Sequence, residues 1–322
     1  MLAAFAAFAN ADDPLSALVV GERPEPETPP GWTKVGVRAA SLNQHDLWSL
    51  RGVGLPASRL PMILGCDAAG VDETGAEVIV HAVVTDPDWR GDETLDPRRS
   101  LLSELHQGTL AESVVVPRRN LVPKPAGMSW SEAACLPTAW LTAYRMLFTQ
   151  SQLPPGSTVL VQGAGGGVST ALIRLAAAAG FRVWVTSRSE AKRARALELG
   201  AERSFASGER LPERVDGVME SVGAATWRHS LQSLRPGGVV VICGATSGAN
   251  PEYTELNRVF FLQLRVVGST MGTRDELERL VRFCEVAGVR PVIDTVLPLA
   301  EARAGFERMS AGDLFGKVVF TI

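Results

Sequence analysis

From about residue 125 onward, short apolar runs alternate with longer runs in which apolar residues recur at helical spacing. The apolar runs predict strands at 158–162, 182–186, 216–220, 238–243 and 264–268. The helical spacing predicts helices at 168–179, 189–199, 224–234 and 274–287. Because strands and helices alternate in this way, we expect an α/β fold with a parallel, doubly wound sheet.

The first 124 residues follow a different pattern. Short apolar or alternating runs at 34–39, 77–84 and 110–116 are separated by turns rich in proline and glycine, which is typical of β-structure. Residues 86–107 are polar and predict a surface loop with one short helix and no strand.

The connecting and terminal segments complete the predicted organisation. Helices are predicted at 129–134, 138–149 and near 300–309, and a last strand at 317–322. We expect this tail to return to the first domain. The predicted domains are therefore 1–124, completed by 290–322, and 125–289.

Composition and charge exclude several classes of function. The chain has 322 residues, of which 46% are hydrophobic and 21% charged, as in ordinary globular enzymes. A net charge of −3 argues against nucleic acid or an anionic membrane as the partner. Residues 1–11 are apolar but lack a basic start, which favours a first strand over a signal peptide. The four cysteines are scattered, so we expect reduced thiols and a cytoplasmic protein.

A glycine cluster joins the predicted strand at 158–162 to the following helix. It reads Gly163-Ala-Gly-Gly-Gly-Val168, and a second strand follows at the distance that a βαβ unit requires. A dinucleotide pyrophosphate needs close backbone approach and a helix N-terminus aimed at it. The cluster therefore predicts a dinucleotide site. Ser169 stands where a further glycine is usual, and its small side chain is expected to be tolerated.

The ordered set of motifs resembles one family, the medium-chain dehydrogenase/reductase superfamily, in its zinc-free branch near quinone oxidoreductases and enoyl reductases. Besides the glycine loop, the matching segments are 40–48, 60–70, 108–116, 133–144, 237–238 and 316–319. The resemblance implies a GroES-like β-rich catalytic domain and a Rossmann domain, with the cofactor in the cleft between them. It also implies hydride transfer to or from nicotinamide, in a homodimer.

The end of the second strand indicates which cofactor is preferred. NAD sites place an acid there to hold the ribose 2′-hydroxyl, but this chain has Ser187 and Arg188, with Lys192 one turn into the helix. A hydroxyl and two cations suit a 2′-phosphate, so we expect NADPH rather than NADH. Two alternatives stay open. Ser187 or Ser189 caps the helix above solvated cations, or Glu190 reaches the ribose.

The resemblance assigns further cofactor contacts along the chain. The expected set comprises the glycine loop, the second strand end, the loops after the next two strands and one aromatic residue near the nicotinamide: Thr142, Gly163, Gly165, Gly166, Gly167, Val168, Ser187, Arg188, Lys192, Val222, Gly244 and Phe260. Core packing is an equal alternative for Phe260 and its neighbour Phe261.

No zinc is expected. The positions that hold catalytic zinc in relatives correspond to Asn43, the Cys66–Asp67 pair and Thr138, of which only Cys66 is a soft ligand. A catalytic zinc needs three protein ligands. The cysteines of a structural zinc site are also missing from residues 86–107.

Without a metal, other groups must stabilise charge on the acceptor. Asn43 could donate a hydrogen bond to the carbonyl oxygen, and His45, at the position of a proton-relay hydroxyl in relatives, could supply a proton. Trp48 is expected to form a wall of the acceptor pocket. The alternative for His45 is a structural or surface histidine. Cys66 is expected to be an inert core thiol, and Asp46 to hold the local turn. Lys317 is expected to be solvated at the start of a strand, with approach to the cofactor or substrate as its alternative.

Three functions remain from the sequence. The first is a zinc-independent, NADPH-dependent reductase of a quinone, enone or similar conjugated carbonyl. The second is a zinc-type alcohol dehydrogenase, and the third is a catalytically silent NADPH-binding protein. The partner in the first case is a small carbonyl or quinone substrate, whose identity the sequence leaves open.

Overall fold

A computed structural model describes residues 1–322. The chain divides into two compact units. Unit 1 contains residues 1–141, 271–286 and 293–322, and unit 2 contains residues 142–270 and 287–292. The division predicted from the sequence, at 124/125 and 289/290, differs because residues 125–141 and 271–286 belong to unit 1 and residues 290–292 to unit 2.

Unit 2 is built on a six-stranded sheet in which every pair of neighbours is parallel. Its strands are β11 (Thr158–Gln162), β12 (Arg182–Thr186), β13 (Arg203–Phe205), β14 (Val215–Glu220), β15 (Leu234–Ile242) and β16 (Arg265–Gly268). They lie in the order β13-β12-β11-β14-β15-β16. The five predicted strands are confirmed. The sixth strand, β13, was not predicted, because it has only three residues and its sequence is not an apolar run.

Helices connect the strands of this sheet as expected for a doubly wound fold. They are α4 (Gly167–Ala178), α5 (Glu190–Glu198), α6 (Ala224–Ser233) and α7 (Leu256–Phe261). The sequence missed α7, which is six residues long. The central strands bury both faces, and Leu160, Trp184, Val218 and Val240 are fully enclosed. Burial on both sides explains why the strand sequences are continuous apolar runs.

A helical segment precedes the parallel sheet. It runs as a π-turn at Leu136–Trp140, as α3 (Leu141–Tyr144), and again as a π-turn at Arg145–Gln150. The shorter α2 (Trp130–Ala133) comes before it, capped by Ser129. Both helices predicted here are therefore present.

Unit 1 contains the β-rich part of the chain. Its strands are β1 (Leu2–Ala6), β2 (Leu18–Glu22), β3 (Trp32–Ser41), β4 (Met62–Ile63), β5 (Asp67–Asp72), β6 (Glu77–Val80), β7 (Val83–Val84), β8 (Ser100–Leu101), β9 (Ser113–Pro117), β10 (Leu121–Pro123), β17 (Ile293–Pro298) and β18 (Lys317–Thr321). The main sheet has the order β10-β6-β5-β3-β18-β17, and β9 also pairs with β3. Strands β2, β1 and β4 form a second sheet.

Three further helices complete unit 1, which also contains α2. They are α1 (Gln44–Leu50), α8 (Arg274–Ala287, of which residues 274–286 belong to unit 1) and α9 (Ala302–Ala311). Strand β18 pairs antiparallel with β3, so the predicted return of the tail to the first domain is confirmed.

The register at the end of β3 aligns three segments that are distant in sequence. Ser41 faces Asp67 of β5 on one side and Val319 of β18 on the other. Because alternate residues of a strand share a face, Lys317 lies on the same side of β18 as Val319. This register brings the start of α1 close to the start of β18.

The segment at 86–107 differs in part from its prediction. It contains a short 3-10 turn at Glu93–Leu95, but also β8, which pairs with β7. The buried carboxylate of Asp96 accepts backbone hydrogen bonds from Asp86 and Arg98 and organises the loop. The expectation that this segment has no strand was therefore wrong. Along the whole chain, every helix is too short or too polar to cross a membrane.

Gly70 on β5 provides a test of the sheet packing. A side-chain carbon at this position would overlap the carbonyl oxygen of Gly36 on β3. We expect Gly70→Ala to destabilise the protein by about 1–3 kcal/mol, the usual cost of overpacking, measured by denaturant unfolding. Gly127→Ala is the matched control, because open space surrounds that residue. Equal stability of the two variants would contradict the packing described here.

Candidate active site

The glycine loop lies at the carboxyl end of β11, where the sequence placed the dinucleotide site. Gly163 adopts a left-handed backbone (φ +82°), which reverses the chain at low steric cost only for glycine. Helix α4 begins at Gly167, so the N–H groups of its first turn have no partner within the helix. The Ser169 hydroxyl donates to the Gly166 carbonyl (3.0 Å) and is buried, so it leaves the loop mouth clear.

The residues after β12 show which of the two serines, Ser187 or Ser189, caps helix α5. Ser189 caps α5, its hydroxyl accepting a hydrogen bond from the Lys192 backbone N–H (3.3 Å). The Ser187 hydroxyl accepts from the Ser189 N–H (3.2 Å). Arg188 is exposed beside this turn, and Glu190 is the exposed first residue of α5. Capping therefore uses Ser189 and leaves the Arg188 guanidinium available.

A buried carboxylate that the sequence analysis missed shapes the loop after β14. Glu220 is fully buried and accepts hydrogen bonds from the backbone N–H groups of Val222 (2.7 Å) and Gly223 (3.0 Å). The hydroxyls of Thr226 and Ser230 also donate to it. These bonds hold the turn that carries Val222, one of the predicted cofactor contacts.

The loop after β15, which contains Gly244, is tied to the same turn. The Ser247 backbone N–H and its hydroxyl both donate to the Val222 carbonyl, each at 2.7 Å. Gly223 has φ +94°, and a side-chain carbon there would come within 2.6 Å of the Gly248 carbonyl oxygen. The two loops thus form one rigid rim at the carboxyl edge of the sheet. The predicted contact Thr142 is a buried residue of α3 in the same unit.

Phe260 does not join this group, and its assignment to the cofactor is corrected. It lies at the end of α7 and is 59% exposed, stacked on Phe261. The next residue, Leu262, accepts a hydrogen bond from Gly237 at the amino end of β15, opposite the edge that carries the glycine loop. Core packing, the alternative interpretation, is wrong as well, since Phe261 is 75% exposed.

In unit 1, four polar residues form a buried network that we call the Lys317 cluster: Ser41, Asn43, Asp67 and Lys317. The Lys317 ammonium donates to the Leu42 carbonyl (2.7 Å), the Asn43 Oδ1 (2.5 Å) and the Asp67 Oδ2 (3.1 Å). Asp67 Oδ2 also accepts from the Asn43 Nδ2 (2.8 Å) and the Ser41 hydroxyl (2.7 Å).

Burial of this lysine contradicts the solvated position expected from the sequence. Lys317 is 2% exposed and Asp67 is fully enclosed, so each charge depends on the other for compensation. Asn43 has its amide oxygen occupied by the ammonium and one amide hydrogen by the carboxylate. The side chain of Asn43, a site residue predicted from the sequence, is therefore held by Lys317 on one side and by Asp67 on the other.

Asp46 holds the turn at the start of α1, as predicted. Its Oδ2 accepts from the Asn43 backbone N–H and its Oδ1 from the Gly65 N–H, both at 2.8 Å. Burial raises the pKa of this carboxyl, while His45 and these backbone donors act to lower it. The turn fixes Asn43 and His45 at the end of β3.

His45 lies between a thiol and a carboxylate. Its Nε2 is 3.1 Å from Glu104 Oε1, and its Nδ1 is 3.5 Å from the Cys66 sulfur. Burial by itself lowers the pKa of His45, but Cys66 and Glu104 outweigh it and raise that pKa above its ordinary value. Burial also raises the pKa of the Cys66 thiol, while the neighbouring His45 acts to lower it.

The remaining predicted residues surround the same part of unit 1. Trp48 lies on α1 one turn after His45, and the Arg51 guanidinium lies 5.3 Å from the centre of its ring. The Thr138 hydroxyl is buried without a hydrogen-bond partner. Glu104, which the sequence analysis missed, comes from the polar segment at 86–107, where no local pattern marked it.

Comparisons with known proteins agree with this architecture. Residues 29–126 match the family described as "Alcohol dehydrogenase GroES-like domain", and residues 167–286 match "Zinc-binding dehydrogenase". An acryloyl-coenzyme A reductase of Metallosphaera sedula is 29% identical, with 94% of this chain and 96% of that protein covered.

Solved structures extend the likeness over the whole chain. An NAD-dependent alcohol dehydrogenase is 33% identical with a TM-score of 0.91, covering 100% of both chains. The 2-octenoyl-CoA carboxylase reductase CinF, solved in complex with NADP and 2-octenoyl-CoA, is 27% identical with a TM-score of 0.90. In that case 99% of this chain and 87% of the other are covered.

The raised pKa of His45 makes a pH-dependent contribution to stability. Because the pKa of His45 is higher in the folded than in the unfolded protein, its protonation stabilises the folded state. This stabilisation is complete below the unfolded-state pKa near 6.5 and is lost as the pH rises through the folded-state pKa. We expect Glu104→Gln to lower the free energy of unfolding by roughly 1 kcal/mol at about pH 6, and by clearly less once the pH reaches the folded-state pKa of His45, about 11. Thermal unfolding of both proteins across this range measures the difference.

The control for this experiment is Glu285→Gln, which removes the same charge from an exposed position on α8. Its stability should follow that of the wild type at every pH. A deficit of Glu104→Gln that grows with rising pH would contradict the charged His45–Glu104 pair.

Proposed function

The chain belongs to the medium-chain dehydrogenase/reductase superfamily, and we propose that it is a zinc-independent oxidoreductase that transfers hydride from NADPH to a conjugated carbonyl. The observation that carries the proposal is that one chain has an open glycine loop in unit 2 and, in unit 1, a polar site whose residues do not fit a catalytic zinc. There, Lys317 and Asp67 occupy the surroundings of Asn43 and His45.

The chain offers a fitting site for NADPH. The N-terminus of α4 presents backbone N–H groups to a pyrophosphate, and Gly163 allows the close approach that phosphates require. Ser187 and Arg188 are suited to a 2′-phosphate, because hydrogen bonds between charged groups are the strong ones. The bound cofactor supplies the hydride. The NADP in the related reductase structure supports the same choice.

Catalytic zinc does not fit the residues present. Of the positions corresponding to zinc ligands in the family, Asn43 directs its oxygen at an ammonium and Thr138 is a hydroxyl. Only Cys66 is a soft ligand, and no group of three or more His, Cys, Asp or Glu side chains is arranged to hold a metal. We therefore propose that reduction proceeds without it.

The residues of unit 1 supply the polar environment that reduction requires. Hydride addition to a conjugated carbonyl builds negative charge on the oxygen, which hydrogen-bond donors stabilise. Asn43 offers an amide N–H. His45, kept protonated by Glu104, can release a proton when it exchanges the carboxylate for the acceptor. Trp48 forms an apolar wall nearby.

Within conjugated carbonyls, we propose enoyl thioesters ahead of simple enones and quinones. The support is the acryloyl-coenzyme A reductase of M. sedula and the 2-octenoyl-CoA complex of CinF. The test is oxidation of NADPH by the purified protein with matched acceptors: an enoyl-CoA, a simple enone, a quinone and an aldehyde. Turnover with the aldehyde alone would overturn the proposal.

An alcohol dehydrogenase is the second candidate, favoured by the similarity to an NAD-dependent alcohol dehydrogenase. It needs a metal to polarise an alkoxide, so elemental analysis separates the two candidates. Stoichiometric zinc together with alcohol oxidation would establish it. NADPH binding with no turnover on any acceptor would instead support a catalytically silent protein.

The homodimer and the cytoplasmic location predicted from the sequence stay predictions. Observations consistent with a dimer are the free edge of β16 and the exposure of Val266, Phe260 and Phe261. Light scattering on the purified protein measures the number of subunits.

Arg188 provides a test of the cofactor choice. We expect Arg188→Ala to weaken NADPH binding by about 10-fold or more, while NADH binding changes little. A 10-fold loss corresponds to roughly 1.4 kcal/mol, which is typical of one charge-assisted hydrogen bond. Titration of nicotinamide fluorescence measures both. Arg203→Ala is the control, because it removes the same charge at the amino end of β13. Equal losses for the two cofactors would contradict a 2′-phosphate site.

A further inference from the structure

The Lys317 cluster contains a cation that cannot reach a substrate. We propose that Lys317 is a positioning residue for the reduction, acting through the amide of Asn43. The proposal rests on the proposed function for its catalytic part. It assigns a role to a residue that the sequence analysis placed in solvent.

The first step of the argument is that the ammonium is fully used. Its three N–H groups have three acceptors: the Leu42 carbonyl at 2.7 Å, the Asn43 Oδ1 at 2.5 Å and the Asp67 Oδ2 at 3.1 Å. Since Lys317 is 2% exposed, no donor remains for an outside oxygen. Any hydrogen bond by which this group assists the reaction must therefore be made by one of its partners.

The second step is that the cluster defines the orientation of the Asn43 amide. An ammonium only donates and a carboxylate only accepts, so the oxygen must face Lys317 and the nitrogen must face Asp67. The second amide hydrogen has only the Ser41 carbonyl as a partner, at 3.4 Å, which is long for a hydrogen bond. This is the N–H that an acceptor oxygen can recruit.

The third step concerns the strength of that donor. A cation on the amide oxygen draws electron density from the amide group, and linked hydrogen bonds strengthen one another in a low-dielectric interior. The Asn43 N–H is therefore a better donor to developing negative charge than an unassisted amide. The polarising charge is built into strand β18 instead of being carried by an exchangeable ion.

Strand register explains why these residues meet. Ser41 pairs with Asp67 on one side and with Val319 on the other. Asn43 is two residues beyond Ser41, and Lys317 is two residues before Val319 on an antiparallel neighbour. The two side chains therefore arrive at the same level of the sheet.

The experiment compares full-length variants of the cluster. Lys317→Met alone leaves the Asp67 carboxylate buried without its counterion and is expected to be destabilised. The paired variant Lys317→Met/Asp67→Asn removes both charges and is expected to recover most of the stability. If Lys317 positions Asn43, the paired variant still loses about 10- to 100-fold in kcat, while its NADPH affinity stays within about 2-fold. The substrate is the acceptor that the wild type reduces fastest.

Two further variants separate positioning from a merely structural role. Combining Asn43→Ala with the paired variant should cost no more kcat than Asn43→Ala alone, because residues that act as one unit are not additive. The paired variant Lys124→Met/Glu77→Gln is the matched control, since it removes another lysine–carboxylate pair of the same sheet (2.8 Å) outside the cluster. It should leave kcat unchanged.

A readout independent of activity is the side-chain amide signal of Asn43. The chain has five asparagines, and the paired variant adds a sixth at position 67. ¹⁵N-asparagine labelling therefore yields a spectrum simple enough to assign from Asn43→Ala, made in the wild type and in the paired variant. The Asn43 signal should shift in Lys317→Met/Asp67→Asn and stay in place in the Lys124 control. This measurement tests the coupling even if the wild type reduces no acceptor, in which case only the proposed function fails.

Two results would overturn the proposal. One is a paired variant that retains kcat within about 2-fold, which would make the cluster a purely structural feature. The other is an Asn43 amide signal that does not respond to removal of Lys317 and Asp67.

Discussion

The buried charge of Lys317 constrains the whole of the candidate active site. An ammonium removed from water is costly unless every donor is satisfied and a counterion is present. Asp67 supplies the counterion, and the Leu42 carbonyl and Asn43 amide supply the other acceptors. Because these partners come from β5 and the turn before α1, satisfying one lysine of β18 determines the relative positions of three elements.

A second buried charge has the same effect in unit 2. Glu220 has no exposed surface, and its carboxylate is satisfied by the turn at Val222 and Gly223 and by two hydroxyls of α6. In both units, the loops expected to meet ligands are held by a buried ion and not by apolar packing alone. Such loops can present backbone groups in a defined geometry.

The sequence predicted the features whose signals are local. The strands of unit 2 are continuous apolar runs because both of their faces are buried, and the glycine loop is contiguous from Gly163 to Val168. By contrast, β13 has three residues and α7 has six, too few to show a period. The sequence analysis assigned Phe260 to the cofactor site wrongly. An aromatic residue in a helix does not indicate at which edge of the parallel sheet that helix ends.

Long-range pairings explain most of what the sequence missed in the site. Lys317 and Asp67 are 250 positions apart, and His45 and Glu104 are 59 apart. A lysine at the start of a strand has the same local pattern whether it is solvated or buried, so its partner must be known first. Asn43, His45 and Trp48 were found because they lie together on one short segment.

The discontinuity of unit 1 has a consequence for how the protein is made. Strand β3 pairs with β18, yet residues 142–270 of unit 2 are translated between them. Unit 2 is nearly contiguous and can fold as it leaves the ribosome. The nascent sheet of unit 1 must wait for β18, and until then residues 39–41 of β3 have no partner strand on that edge. During that interval Asp67 lacks its countercharge, so the partly synthesised chain is the form in greatest need of chaperone protection.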